Sequence, residues 1–261
     1  MGADGLDRLR VVPGEPARLA ERDPADDLGL DKDTAKQRTK ELRDRIDELQ
    51  YLLYAEATRA VLLVLQGLDA SGKDGVIRSV FDGVNPQGVR VESFKAPAGA
   101  ELQHDYLWRI HAVLPRRGTL GVFNRSHYED IATVRVLELA PADVWRRRGG
   151  HVRELERMLV DEGTAIVKVY LHVSQEEQRA RLQERVDDPR KRWKFRPGDL
   201  DVNERYDEYV AAYEDAITET STDWAPWYVV PADRNWVKAY ATAALVCETL
   251  GRLDPRLPDN V

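Results

Sequence analysis

From Asp33 onward, Leu42, Ile46, Leu49 and Leu53 recur at helical spacing among Lys, Arg, Glu and Asp residues. This predicts an amphipathic helix that ends near Ala57 and lays one face on a core. The texture then changes. AVLLVLQ, Ala60 to Gln66, is a short and nearly unbroken apolar run containing β-branched residues, as expected of a strand buried on both faces of a parallel sheet. GVRVESF (88–94), TLGVFN (119–124), AIVKVYLHV (165–173) and WYVVPA (227–232) are further strand candidates. Helical patterns such as VRELERMLVDE and WVKAYATAALVCETL separate them. Strand and helix in regular alternation imply parallel pairing through right-handed crossovers, hence an α/β fold with helices on both faces of the sheet. Ligands of such sheets sit at the carboxyl ends of the strands. The segments to examine are therefore 67–74, 95–98 and 124–130. No internal repeat is visible.

The chain has 261 residues and is 43% hydrophobic, enough for one enzyme-sized domain. Residues 1–30 are rich in Asp, Arg, Pro and Gly without periodicity and read as an irregular arm, packed on the domain or on a partner subunit. Residues 31–261 read as a single domain. The net charge of −7 argues against a nucleic-acid partner. The lone cysteine, Cys247, offers neither a disulfide nor a thiol metal cluster and suits a reducing cytoplasm. The N-terminal stretch has no apolar signal core, and no run approaches roughly 18 consecutive apolar residues, so neither secretion nor a membrane span is expected.

The chemistry starts after the first strand. GLDASGKDG, Gly67 to Gly75, fits the phosphate-cradling Walker A pattern GxxxxGK[ST], except that Asp74 stands where Ser or Thr is expected. It follows a buried strand and opens a helix, as that motif requires. Backbone N–H groups from Gly67 through Ala70, Ser71 and Gly72 to Lys73 can converge on an anion, and the Lys73 side chain adds a full charge. Lys95, just after the second strand, is a further phosphate-binding candidate. Two carboxylates, Asp69 and Asp74, are out of place in a loop built for anions. Either they cap the following helix, or magnesium stands between carboxylate and phosphate and turns repulsion into a bridge.

VFNRSHYEDI follows the strand TLGVF and puts many polar groups at the ligand edge of the sheet. Arg125 suits charge neutralisation on a transferring phosphoryl group, and Glu129 and Asp130 could hold metal or position an acceptor. His127, a lone histidine, reads more simply as a structural residue. RARLQERVDDPRKRWKFR, Arg179 to Arg196, carries eight Lys or Arg against three acids in an otherwise acidic chain. Its position after a strand, the break at Pro189 and the helix that follows predict a mobile basic lid at about 179–203. Arg185, Lys191 and Lys194 are its phosphate-binding candidates, and Trp193 is expected to anchor it.

GLDASGKDG, NPQGVRVESFKAP, FNRSHYED, DDPRKRWKFRPGD and STDWAPWYVVPADRNW, occurring in that order, resemble the polyphosphate kinase 2 family, and within it the class that phosphorylates nucleoside monophosphates as well as diphosphates. The resemblance covers roughly residues 30–252. It implies a P-loop kinase-like, three-layer α/β/α sandwich with a helical lid, Mg2+ as cofactor, and transfer from inorganic polyphosphate to AMP, ADP or other purine nucleotides. It also implies a homo-oligomer, dimer or tetramer. By the same resemblance Asp69 and Lys73 act at the transferring phosphate, and the lid cations line a polyphosphate path. Other members carry Asp where this chain has Asn124, so the metal-site candidates are Asp69, Asn124 and Asp130, with Glu129 as an alternative. Two rivals share parts of these features: an ATP-dependent nucleoside monophosphate kinase, and a non-catalytic nucleotide-binding protein, which would have little use for the carboxylates.

Overall fold

All seven residues of Ala60–Gln66 are buried, and this strand (β1) is the middle of the sheet in the computed structural model, which describes residues 4–194 and 198–258. Around it lie β2 (Val89–Ser93), β3 (Leu120–Asn124), β4 (Thr164–His172) and β5 (Trp227–Pro231), in the order β2-β3-β1-β4-β5. Every neighbouring pair is parallel. The helices are α1 (Asp4–Asp7), α2 (Lys32–Glu56), α3 (Lys73–Val80), α4 (Trp108–His111), α5 (Ala132–Val136), α6 (Ala142–Asp161), α7 (Gln175–Asp187), α8 (Gly198–Glu204), α9 (Tyr206–Thr220) and α10 (Asn235–Leu253). One helical layer gathers α2, α3 and α10; the other gathers α5, α6 and α9. The expected three-layer α/β/α architecture is thus observed.

The topology positions the site. The connection from β1 runs to β2 on one side of the sheet, whereas the connection from β3 runs to β4 on the other. Two such loops diverge from adjacent strands and leave a crevice at their carboxyl ends. Leu65 of β1 lies opposite Asn124, the last residue of β3, so the loop at 67–72 and the segment at 125–130 start side by side.

Local signals place the helices. The Asp31 carboxylate accepts from the N–H groups of Asp33 and Thr34 at 3.0 and 2.9 Å and starts α2, and Ala57 in the left-handed region (φ 53°) stops it. α7 ends at Asp187, and Asp188, which precedes Pro189, is extended. The N-terminal arm covers the open edge of β5 through an antiparallel bridge between Arg10 and Tyr228. Val11 N–H donates to Trp227 O and Val229 N–H to Leu9 O, both at 2.8 Å. Leu9, Val11, Ala17, Leu19, Leu28 and Leu30 join the common core. A single bridge imposes no periodicity, which is why the arm looked irregular. Among the described residues no helix is long and apolar enough to cross a membrane.

Candidate active site

The loop after β1 needs backbone that few side chains tolerate. Gly67 has φ 147°, Ala70 62° and Gly72 99°. A Cβ at Gly67 would stand 2.8 Å from Leu171 O and from Ser71 Oγ, and one at Gly72 would stand 2.3 Å from the ammonium of Lys238. The loop closes this tightly because its carbonyls are tied down from behind. Gln178 Nε2 donates to Asp69 O at 3.0 Å. Arg181 donates to Ala70 O and Ser71 O at 3.1 Å each, and to Ala232 O and Asp233 O at 2.8 and 2.6 Å. Lys238 Nζ donates to Ser71 O at 2.6 Å and to Ala232 O at 3.1 Å. Across a trans peptide the carbonyl and the next N–H point in opposite directions. Holding the carbonyls of Asp69 and Ser71 on the helix side therefore turns the N–H groups of Ala70 and Gly72 outward, toward an incoming anion.

Lys73 opens α3 with its ammonium folded back on Gly67 O (2.6 Å) and Leu68 O (3.2 Å). Burial lowers its pKa to about 8, with Arg125 adding repulsion and Asp69, Glu129 and Asp74 opposing the shift. Burial, and after it Arg181, also brings Lys238 down to about 7. Among the described residues Ser71 Oγ, buried at the loop, has no hydrogen-bond partner.

Arg125, with φ 63°, donates its own N–H to Leu65 O at 3.1 Å and thereby turns the chain sharply at the end of β3. Its guanidinium bonds the Asp69 carboxylate and lies 3.9 Å from Glu129 Oε2. Burial disfavours its charge, but Glu129 and Asp69 outweigh burial and hold the guanidinium above its ordinary pKa. Glu129 is fixed in turn by Thr133 Oγ1 at 2.6 Å and Tyr213 OH at 3.2 Å. Gln66 completes this shell, donating to Glu129 Oε1 and accepting from Ser126 N and Oγ, each at 3.0 Å. A second tie joins the segment to the loop: Asn124 Nδ2 donates to Asp74 Oδ1 at 2.8 Å. The predicted residues Asp69, Lys73, Asp74, Asn124, Arg125 and Glu129 therefore form one assembly at the carboxyl ends of β1 and β3.

Other expected residues lie elsewhere. The Asp130 carboxylate is buried against Arg109 (3.2 Å) and Arg148 (3.8 Å), on α4 and α6. Burial raises its pKa against the pull of both arginines. It faces those helices rather than the loop, because the 3-10 turn His127–Asp130 rotates it away from Glu129. His127 is also in the core, 3.8 Å from Glu156 in a buried cluster with Tyr128 and Lys168, in accord with a structural role. The side chain of Lys95 is exposed; its carbonyl accepts from Arg109 at 2.7 Å. The expected lid at about 179–203 takes in most of α7, a 3-10 turn at Arg192–Lys194 and most of α8. Arg185 bonds Asp199 of α8 at 3.2 Å, and Lys191 bonds Glu184 at 2.5 Å. The side chain of Lys194 lies outside the described residues. Trp193 is 77% exposed rather than buried as an anchor.

Three residues that sequence reasoning missed, Gln178, Arg181 and Lys238, hold the loop. Lys238 carried a signal: it is a lone charge among the apolar and small residues of VKAYATAALV. Arg181 carried none, being one cation among eight in its run. Asn203 Nδ2, donating to Gln178 Oε1 at 2.9 Å, links α8 to the same support.

A divalent cation fits this donor set. Asp69 and Asp74 offer hard carboxylate oxygens beside the glycine loop, and an ion such as Mg2+ takes only one or two carboxylates and completes its shell with water and phosphate oxygens. Among the described residues no group of three or more His, Cys, Asp or Glu is gathered as a closed metal cage, and this chemistry does not require one.

The chain is 52% identical over 255 residues to the AMP/ADP-polyphosphate phosphotransferase of Meiothermus ruber, a match covering 97% of this chain and 96% of that protein. It is 45% identical over 229 residues to the ADP-polyphosphate phosphotransferase of Rhodopseudomonas palustris, covering 83% and 79%. Its fold superposes on the crystal structure of polyphosphate kinase 2 from Arthrobacter aurescens TC1 with a TM-score of 0.93 at 40% identity, covering 98% of this chain and 92% of that one. The family model for polyphosphate kinase 2 matches residues 29–256, which contain the whole loop, Arg125 assembly and lid, and the chain belongs to that family.

Proposed function

We propose that this enzyme transfers a phosphoryl group from inorganic polyphosphate to AMP and ADP with Mg2+. The observation that carries the reading is the coupling of a phosphate loop to Arg125 through a carboxylate inside the loop, Asp69. A structural phosphate site needs Lys73 and the outward N–H groups; it does not need an acid holding an arginine beside them. The similarity to a phosphotransferase named for both AMP and ADP supports the choice of acceptors.

In this reading the donor's phosphate oxygens replace Asp69 on Arg125 and replace Gly67 O and Leu68 O on Lys73. Arg125 and Lys73 then neutralise charge on the moving group, where electrostatic stabilisation is the main catalytic work. Asp69 is released as a metal ligand, and Asn124 keeps Asp74 oriented. Asp69 and Asp74 would hold Mg2+, which would supply charge neutralisation at the transferring phosphate. Glu129, fixed by Gln66, Thr133 and Tyr213, keeps Arg125 aimed across the crevice. Arg185, Lys191 and Lys194 belong to the lid, and we assign them donor contacts, made by Arg185 and Lys191 when their present pairing with Asp199 and Glu184 opens. The same reading includes a cytoplasmic location, supported by the lone cysteine, and a homo-oligomer, dimer or tetramer, supported by family membership; sedimentation tests the latter.

A transfer assay decides the function. Polyphosphate or ATP is offered with AMP or ADP, with and without Mg2+. The reading expects polyphosphate to outperform ATP with both acceptors and to require the cation. Faster transfer from ATP would make the chain an ordinary nucleoside monophosphate kinase.

A further inference from the structure

Ala70, the residue after Asp69, sits at φ 62° in the left-handed region, which a residue with a Cβ adopts only where its surroundings hold it. One helix holds both peptides that flank it. Gln178 of α7 donates Nε2 to Asp69 O at 3.0 Å, and Arg181, one turn later, donates to Ala70 O at 3.1 Å. Gln178 is fully buried and Asn203 of α8 nearly so, and buried amides require partners. They find each other. Asn203 Nδ2 donates to Gln178 Oε1 at 2.9 Å and to Gln175 O at 3.0 Å, while Gln175 Nε2 donates to Asn203 O at 2.8 Å.

This chain of amides has one direction. A backbone carbonyl only accepts, so Gln175 O fixes the Asn203 NH2 toward α7. That NH2 needs a second acceptor, which turns the Gln178 oxygen toward α8 and the Gln178 NH2 toward the loop. The far end is again a carbonyl, Asp69 O. We infer that Asn203 and Gln178 are positioning residues of phosphoryl transfer, a relay through which the seat of the lid helix α8 sets the Asp69–Ala70 peptide and with it the Asp69 carboxylate. Both hydrogens of the Asn203 NH2 are engaged, so Asn203 acts through Gln178 and the backbone rather than on substrate. The same helix carries Asp199, which pairs with Arg185 at 3.2 Å. A lid cation assigned to the donor and the carboxylate inside the loop are therefore joined through one helix of seven residues.

The inference rests on the proposed function, and the experiment separates the two. Full-length Gln178→Met, Asn203→Asp and the double variant are compared with wild type for kcat and KM in ADP phosphorylation from polyphosphate. Gln178→Met removes the bond to Asp69 O at nearly the same side-chain length. Asn203→Asp sets acceptors against Gln175 O and Gln178 Oε1; the Gln178 amide then turns over and presents its oxygen to Asp69 O. Each single variant should lower kcat by about 10²-fold, the scale of a small misplacement at a reacting group, with the KM for ADP changed by less than about threefold. The double variant should lose no more than Gln178→Met alone, because without that amide Asn203 has no route to the loop. Hydrogen exchange gives a readout that needs no donor. The Ser71 N–H, which donates to Leu68 O at 3.1 Å within the loop, should exchange faster in both single variants. A kcat within about threefold of wild type in folded Gln178→Met overturns the relay. So does a double variant whose loss is the product of the two single losses, or an Asn203→Asp protein whose exchange rises in α8 alone, as it would if Asn203 only seated its own helix. If circular dichroism shows Asn203→Asp unfolded, Asn203→Ala replaces it under the same criteria for the double variant and for exchange, with an expected loss in kcat of about tenfold. If wild type transfers from no polyphosphate, the proposed function falls, and exchange at Ser71 decides the relay alone.

Discussion

Replacing Arg181 should cripple the enzyme although its carbonyl contacts lie behind the cradle rather than at its mouth. Its Nη1 bridges Ala70 O and Ser71 O, its Nη2 bridges Ala232 O and Asp233 O, and its Nε bonds Glu177 at 2.8 Å. The side chain is only 14% exposed, so solvent replaces these bonds poorly. A hydrogen bond to a charged group contributes about 1.5–3 kcal/mol net. Counting each bridging nitrogen once, Arg181→Met should cost about 3–6 kcal/mol. That is within the roughly 5–15 kcal/mol of a typical domain, so the variant should fold, with Tm lowered by roughly 10 °C or more. The catalytic loss should be larger than the stability loss implies. With Ala70 O released and Ser71 O left to Lys238 alone, the Gly72 N–H loses part of the support that aims it outward, and a misplacement of about 1 Å costs roughly 10²-fold in rate. Arg181→Lys should recover little, because one compact ammonium cannot span four carbonyls in a planar fork. Calorimetry and steady-state kinetics on both variants make the test. A kcat within threefold of wild type in folded Arg181→Met would refute the reasoning and reduce Arg181 to a packing residue.

Gly72→Ala forces a Cβ to within 2.3 Å of the Lys238 ammonium at φ 99°; it should displace Lys238 from Ser71 O and lower kcat at least tenfold while calorimetry shows a folded protein. Glu129→Asn removes an acceptor of Tyr213, Thr133 and Gln66 at the site where AMP is to be admitted; AMP phosphorylation should fall more than ADP phosphorylation, and equal losses would contradict that role. Lys73, lowered to about 8, is charged below that pH and neutral above it. The pH profile of kcat/KM, which reports the free enzyme, should therefore fall as pH rises through about 8. Bound phosphate favours the ammonium, so kcat should hold to a higher pH.

The sheet was legible because β1 and β4, buried on both faces, are apolar except for Lys168, whose ammonium is paired with Glu156, and for polar residues at their ends, and the loop because glycine and lysine positions are dictated by backbone and charge. β2 was legible only by its alternation: as an edge strand it leaves Val91 45% exposed. Asp130 misled because a 3-10 turn, invisible in composition, separates its direction from that of Glu129 by one residue. Asp69 and Arg125 were each identifiable, yet their pairing depends on the β1–β3 register. Arg181 and Gln178 bind carbonyls, and any loop offers carbonyls, so no pattern of residue types announces such partners. The role of the N-terminal arm was hidden for the same reason, since its hydrogen bonds are made by backbone.

The central claim is that Asp69, Lys73 and Arg125 move a phosphoryl group from polyphosphate to a nucleotide. The most direct measurement is single-turnover transfer of label from terminally labelled polyphosphate to ADP, by wild type and by Asp69→Asn, with circular dichroism confirming both folds. Removing one preorganised electrostatic group costs about 10²-fold or more. The account predicts labelled ATP from wild type and a loss of at least that size in the variant. Label transfer at the wild-type rate by folded Asp69→Asn, or none by wild type, would contradict it.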